Sequence, residues 1–126
     1  EYLDIKNKTI CLPMVVNKKQ PLIFKPWRPG KKMVIGHYGI SVPDNNQTLI
    51  PDLIICPLLA YDSKGMRLGY GGGFYDRTIK YLRRNKRVKY IGLAFSGQKS
   101  YHDLPSEVHD VPLDAVLTET GMDYFQ

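Results

Sequence analysis

The sequence predicts an α/β fold: layered, with a mainly parallel sheet, flanking helices and a glycine-rich phosphate loop between a strand and a helix. Three observations carry this. Leu53-Ile54-Ile55-Cys56-Pro57-Leu58-Leu59 is an apolar, strand-like run, and four glycines (Gly69, Gly71, Gly72, Gly73) follow it within five positions. Beyond them Tyr75, Ile79 and Leu82 recur at helical spacing, which marks one buried helix face starting near Phe74. A second near-continuous apolar segment, Ile91 to Phe95, comes next, and such unbroken strands imply a sheet buried on both faces.

In chain order, strands are expected over 9–16, 21–25, 52–57, 90–95 and 115–118, with one helix from Phe74 to about Arg84. The stretch from Lys25 to Leu49 holds Pro26, Pro29, Gly30, Gly36, Gly39 and Pro43 and reads as loop and turn. Its aromatic residues Trp27 and Tyr38 either offer faces to a flat ring or seal the edge of the core. The strand–helix–strand order from Leu53 to Phe95 is a βαβ unit, and ligands of such sheets bind at the carboxyl ends of the strands, where the glycines fall. One helix leaves one sheet face under-covered. The 126 residues are taken as one domain.

The glycine cluster has the makings of an anion trap. Without Cβ atoms the backbone N–H groups approach an oxyanion closely, and a helix N-terminus adds donors without partners and a favourable dipole. Arg67 before the glycines and Arg77 after them supply full charges suited to phosphate. The alternatives are a glycine-rich surface turn and, for Arg77, a solvated helix residue. Neither common phosphate motif fits. No Gly-Lys-Ser or Gly-Lys-Thr closes the loop, and Phe74 stands where a dinucleotide-binding fingerprint needs glycine or alanine.

The string Arg67-Leu68-Gly69-Tyr70-Gly71-Gly72-Gly73-Phe74-Tyr75-Asp76-Arg77 resembles the signature of the 5-formyltetrahydrofolate cyclo-ligase family, also called 5,10-methenyltetrahydrofolate synthetase. The resemblance extends upstream through Pro51 to Pro57 with Tyr61-Asp62 and Gly65, through Cys11 to Val16, and through Gly36 to Ile40. Downstream it takes in Gly92 to Phe95, Gln98, Leu104-Pro105, His109-Asp110 and Leu113 to Val116. It implies an ATP- and magnesium-dependent closure of 5-formyltetrahydrofolate to 5,10-methenyltetrahydrofolate, giving ADP and phosphate. By position, Arg67, Leu68, Gly69, Tyr70, Gly71, Gly72, Gly73, Phe74 and Tyr75 would line ATP, with Arg67 and Tyr75 as catalytic side chains. Tyr70, Gly71, Gly72, Gly73 and Phe74 would also border the folate, and Asp76 and Asp110 would be the Mg²⁺ ligands. Each aspartate has a plainer reading: Asp76 favours a helix N-terminus electrostatically, and Asp110 suits a turn before Pro112.

Two departures from the family pattern stand out. Val42, in Gly39-Ile40-Ser41-Val42-Pro43, occupies the place of the usual acidic or amide residue. Nothing in the chain aligns to the family's N-terminal region, with its basic ATP-contacting segment and folate-contacting glutamate. Similarity begins near Thr9, and the chain opens on Glu1. The expectation is a fragment, a proteolysed product or the product of a decayed gene, corresponding to the C-terminal two-thirds of a cyclo-ligase and of low activity by itself. A non-catalytic nucleotide- or phosphate-binding module is the alternative.

Composition narrows the rest. No apolar run approaches the roughly 20 residues of a membrane helix, and no secretory signal pattern is visible. Cys11 and Cys56 lie in apolar segments without Cys-x-x-Cys spacing, which suggests buried reduced thiols, no zinc site and a cytoplasmic protein. The net charge of +6 suits nucleic acid by sign alone, and equally suits ATP and a polyglutamylated folate, which are the expected partners. No Lys or Arg follows Lys99, whereas six acidic residues do, and the basic run Arg83 to Arg87 reads as a solvated helix end. Oligomeric state is not encoded legibly.

Overall fold

The structure is a computed structural model that describes residues 8–125, so Glu1 lies outside the described residues. The sequence treats the chain as one domain. Its contacts gather into two compact units, Glu1–Pro51 and Asp52–Gln126.

In the first unit, β1 (Ile10–Met14) pairs antiparallel with β2 (Ile23–Trp27), running from Ile10 opposite Trp27 to Met14 opposite Ile23. Pro13 and Pro26 are tolerated because a two-stranded ribbon has outer edges that need no N–H. The stretch expected to be loop holds a second antiparallel pair, β3 (Met33–Ile35) with β4 (Ser41–Pro43), joined through a 3₁₀ turn at His37–Gly39. These strands are three residues long and rich in Gly and Pro around their ends, so no alternation was long enough to be read. Leu22, Phe24, Val42 and Pro43 form the buried centre of this unit.

The second unit is built on a four-stranded sheet of order β10-β9-β8-β5. β5 (Leu53–Pro57) is parallel to β8 (Lys89–Leu93), β8 is parallel to β9 (Ala115–Thr118), and β9 turns back antiparallel into β10 (Gly121–Tyr124). The expected mainly parallel sheet is therefore a mixed one, accompanied by three separate two-stranded antiparallel sheets. β10 escaped notice because all four of its residues are exposed, which leaves no buried periodicity to read. Between β5 and β8 run a short hairpin, β6 (Ala60–Tyr61) with β7 (Arg67–Leu68), and the helix α1 (Phe74–Leu82). α1 is the one α-helix among the described residues, where flanking helices were expected.

α1 buries Thr78, Ile79 and Leu82, as the spacing predicts. It ends where Arg83 N–H bonds Ile79 O and the exposed Arg83 side chain folds back along the surface, donating to Val88 O at 2.9 Å and to Asp114 Oδ2 at 2.9 Å. Lys86 pairs with Asp52. The basic run is the solvated helix end that the sequence suggests, with two of its cations in surface ion pairs. Gly92 lies under the crossover, and a Cβ there would sit 2.7 Å from Leu58 Cδ2 and 2.9 Å from Leu113 Cδ1.

The expectation of a sheet buried on both faces is not met among the described residues, whereas the under-covered face that a single helix implies is present. β5 alternates: Ile54 and Cys56 are buried, while Leu53 and Ile55 are 45% and 44% exposed. Register carries the exposed side across the sheet through Leu93 (paired with Pro57), Leu117 (paired with Leu93) and Met122 (paired with Leu117). A continuous run of exposed aliphatic side chains marks an association surface. The double variant L53K/L93K is expected to lower self-association at high protein concentration, measured by sedimentation, with melting shifted by only a few degrees because both positions already face solvent. Unchanged association would place the contact elsewhere.

Candidate functional site

The glycine loop is carried on the β6–β7 hairpin, which intervenes between β5 and the glycines. Leu59 N–H bonds Leu68 O at 2.8 Å, closing the hairpin's open end. Its turn is held by a buried carboxylate. Asp62 Oδ1 accepts from the N–H of Lys64 at 2.9 Å and of Met66 at 3.0 Å, and Oδ2 accepts from Leu104 N–H at 2.9 Å. With its charge fully bonded, Asp62 fixes the hairpin against the segment after Ser100. Gln98 adds a second tie, donating from Nε2 to Leu58 O at 3.0 Å and Leu59 O at 3.2 Å.

From this mount the backbone of Gly69 to Gly73 crosses exposed to α1. Gly73 is the N-cap of the helix, in the left-handed region at φ 69°, and no side chain caps the first turn. The N–H groups of a first turn have no acceptor within their own helix, so an uncapped N-terminus at an open loop presents donors and the positive end of the dipole together. Nothing lies within 4 Å of a Cβ placed on Gly71, so the middle of the loop faces open space. Gly72 differs: a Cβ there would come 2.6 Å from the Phe74 ring, which keeps that residue small for packing.

Arg67 reaches beneath the loop. Its Nε donates to the Tyr90 hydroxyl at 2.7 Å, and its guanidinium carbon lies 5.5 Å from the Tyr75 ring centre and 5.9 Å from that of Tyr90. A Cβ on Gly69 would fall 2.5 Å from Nη1, so the missing side chain is what admits the guanidinium. Burial works against the charge of Arg67, but Tyr90 and Cys56 beside it outweigh that and raise its pKa further. Burial likewise pushes up the Tyr75 and Tyr90 phenols and the Cys56 thiol, so all three stay protonated. Arg77 stacks 5.0 Å from the Phe74 ring and closes on Gly73.

Each of the two aspartates has a backbone partner. Asp76 Oδ1 accepts from Val111 N–H at 3.1 Å, which places the first turn of α1 beside the residue that follows Asp110. Asp110 Oδ2 accepts from Glu107 N–H at 2.8 Å, so the turn-residue reading is satisfied too. Among the described residues no group of three or more His, Cys, Asp or Glu could hold a metal.

Leu68 and Tyr70 project to solvent beside the loop. Trp27 and Tyr38 belong to the first unit, where Tyr38 is an exposed residue held at φ 59° in the 3₁₀ turn. Sequence reasoning missed the Tyr90 hydroxyl, and it placed Asp62 only within the resemblance, without its role in holding the hairpin. Tyr90 sits in a strand where an aromatic residue reads as core, and only its pairing opposite Ile54, with Cys56 next along that face, shows that its hydroxyl reaches Arg67. A shallow groove of about 630 Å³ opens elsewhere, near Arg83, Lys86, Ile91 and Tyr124. Arg83 and Lys86 are already paired there, and none of the glycine-loop residues lines it.

A model of the 5-formyltetrahydrofolate cyclo-ligase family matches residues 2–119. A 5-formyltetrahydrofolate cyclo-ligase of Haemophilus influenzae is 40% identical over 123 residues, covering 93% of this chain and 65% of that protein. The Escherichia coli K12 protein of the same name is 37% identical over 102 residues, covering 77% and 55%. Among solved structures, the 5,10-methenyltetrahydrofolate synthetase of Aquifex aeolicus superposes with a TM-score of 0.74 at 29% identity, over 97% of this chain and 61% of that one. The chain thus spans less than two thirds of the length of these relatives. No helix of the described residues is long and apolar enough to cross a membrane.

The protonated cluster beneath the loop has a consequence for stability. Cys56, Tyr75 and Tyr90 have folded-state pKa values above their unfolded ones, so above about pH 9 to 10 the unfolded chain releases protons that the folded chain keeps. Stability contributed by keeping these groups neutral is full below that window and is lost as pH rises through it. Urea midpoints should therefore fall between pH 8.5 and about 10.5, and the fall should lessen in Cys56→Ala. A flat profile would show that the cluster is solvated.

Proposed function

This chain belongs to the 5-formyltetrahydrofolate cyclo-ligase family, and from that premise we propose that it serves the ATP- and Mg²⁺-dependent cyclisation of 5-formyltetrahydrofolate to 5,10-methenyltetrahydrofolate. The observation that carries this reading is the uncapped N-terminus of α1, opening on a glycine loop with the Arg67 guanidinium held directly beneath. In the proposed reaction the formyl oxygen takes the γ-phosphoryl group of ATP, releasing ADP. The N10 amine attacks the activated carbon, and the ring closes as phosphate leaves with the former formyl oxygen. Such transfers depend on positioning and charge neutralisation more than on covalent help from the protein. Backbone donors from Gly69 to Gly73 hold phosphate oxygens, and Arg67 meets the charge that spreads over the transferring group. Tyr75 packs on that guanidinium as the second catalytic side chain, and Leu68, Tyr70 and Phe74 border nucleotide and folate. Asp76 and Asp110 would hold Mg²⁺, which supplies neutralisation of the phosphate charge when bound.

Val42, buried in the first unit, supplies packing where a polar group is usual, so contacts from that position are absent from the proposed site. Residues 1–126 correspond in this reading to one domain, the C-terminal two-thirds of a cyclo-ligase. Net positive charge supports anionic substrates, including polyglutamylated folate. Free thiols at Cys11 and Cys56 support a cytoplasmic setting.

Asp76→Asn keeps an oxygen that can accept from Val111 N–H but removes the charge. It is expected to change stability by less than about 1 kcal/mol and to weaken Mg-ATP binding about tenfold, with the magnesium dependence of calorimetric affinity lost. A variant that melts early yet keeps its magnesium response would show that Asp76 serves only the helix.

Turnover is the broader test. Methenyltetrahydrofolate formation, followed spectrophotometrically, should be slow or absent with residues 1–126 alone and faster by orders of magnitude in a version extended upstream, because groups acting on one transition state are strongly non-additive. Equal rates would show a complete active site within these residues. Nucleotide binding without turnover in both versions would favour the non-catalytic module.

A further inference from the structure

We infer that Tyr90 is a positioning residue of this site, fixing the Arg67 guanidinium in the one orientation that faces the glycine loop. The inference rests on the nucleotide reading above and extends it to a side chain that contributes nothing to the loop itself. Arginine has long, flexible χ angles, and a phosphate site gains from it only as far as its planar fork is held in place. Here the fork is held on three sides. Nε donates to Tyr90 Oη at 2.7 Å, Tyr75 and Tyr90 present their rings to the guanidinium carbon, and Gly69 leaves a gap that Nη1 fills.

Tyr90 is itself anchored at both ends. Its backbone N–H donates to Asp114 Oδ2 at 2.8 Å, and its carbonyl accepts from Asp114 N–H at 2.8 Å. Its side chain is fully buried. The phenol oxygen accepts from Arg67 Nε, a donor only, which defines the direction of that bond. Since Cys56 lies on β5 and Tyr90 on β8, the parallel pairing of those strands sets where the guanidinium sits.

The test reads the bond and the binding separately. In ¹⁵N-labelled chain the Arg67 Nε–H, assigned by its loss in Arg67→Lys, is expected to exchange with water at least about tenfold more slowly than that of exposed Arg28 or Arg84. Tyr90→Phe keeps the ring and removes the acceptor. It should abolish that protection and weaken Mg-ATP binding about tenfold by calorimetry, with the folate-free fold retained by near-UV dichroism. Gly69→Ala displaces the guanidinium from the opposite side without altering Tyr90 and should weaken binding comparably. It decides the matter together with the wild-type exchange rate if Tyr90→Phe does not fold. Fast exchange of Arg67 Nε–H in the wild type would overturn the inference. So would full affinity in Tyr90→Phe alongside lost affinity in Arg67→Lys. Unchanged affinity in Arg67→Lys and Arg67→Ala would instead overturn the nucleotide reading, and this inference with it.

Discussion

The second unit depends on how a guanidinium is accommodated beneath a loop that has almost no side chains. A buried cation without partners costs several kcal/mol, and a hydrogen bond to a charged group returns about 1.5–3 kcal/mol. Arg67 balances that account through Tyr90, two aromatic faces and a glycine that makes room. The same constraint explains neighbouring choices. Tyr90 must be buried for its hydroxyl to reach Arg67, so β8 needs a partner strand on either side, and Asp114 must hold its backbone. The carboxylate of Asp62 then keeps the hairpin bearing Arg67 from drifting.

What the sequence made legible was whatever has a period or a dense local signal. α1 was visible because Ile79 and Leu82 repeat at helical spacing, and its observed end at Leu82 lies within two residues of the expected Arg84. β5, β8 and β9 were visible as apolar runs. Their two-sided burial was misjudged because a continuous run such as Leu53 to Cys56 looks the same whether or not a second layer covers it. Burial of alternate residues is a property of what packs on the sheet, and that information is not local. β3, β4, β6 and β7 were invisible because strands of two or three residues carry no alternation, and β10 because it buries nothing.

The site divided along similar lines. The glycines, arginines and Asp76 of the proposed site stand within eleven consecutive residues; the glycines and arginines were located by their local density, the metal role of Asp76 mainly by resemblance. Asp110 was reachable only through resemblance; what the structure shows is that the residue after it, Val111, bonds to Asp76 across 35 positions of sequence. Tyr90 was reachable by neither route. A tyrosine in an apolar strand is ordinary core unless its hydroxyl has an assigned partner, and that partner is 23 residues away in sequence. Long-range polar contacts between ordinary-looking residues are what a single sequence hides best.

The exposed aliphatic face and the site belong to one structural logic. Parallel pairing of β5 with β8 brings the ends of both strands to the same edge, and Gln98 and the β6–β7 hairpin are tied there through Leu58 and Leu59. One face of the sheet is thereby occupied by the crossover, with Ile54, Cys56, Tyr90 and Ile79 buried. On the opposite face Leu53, Ile55 and Leu93 are about half exposed. Strand residues chosen for burial but left exposed raise the free energy of the isolated unit by roughly 25 cal/mol for each Å² of apolar surface left in water. Covering that face would strengthen the very strands that hold Tyr90 and Cys56, and through them the orientation of Arg67. Any association at the sheet and the proposed anion binding at the loop are thus expected to be coupled, with the coupling carried by the β5–β8 pairing rather than by any residue that touches both.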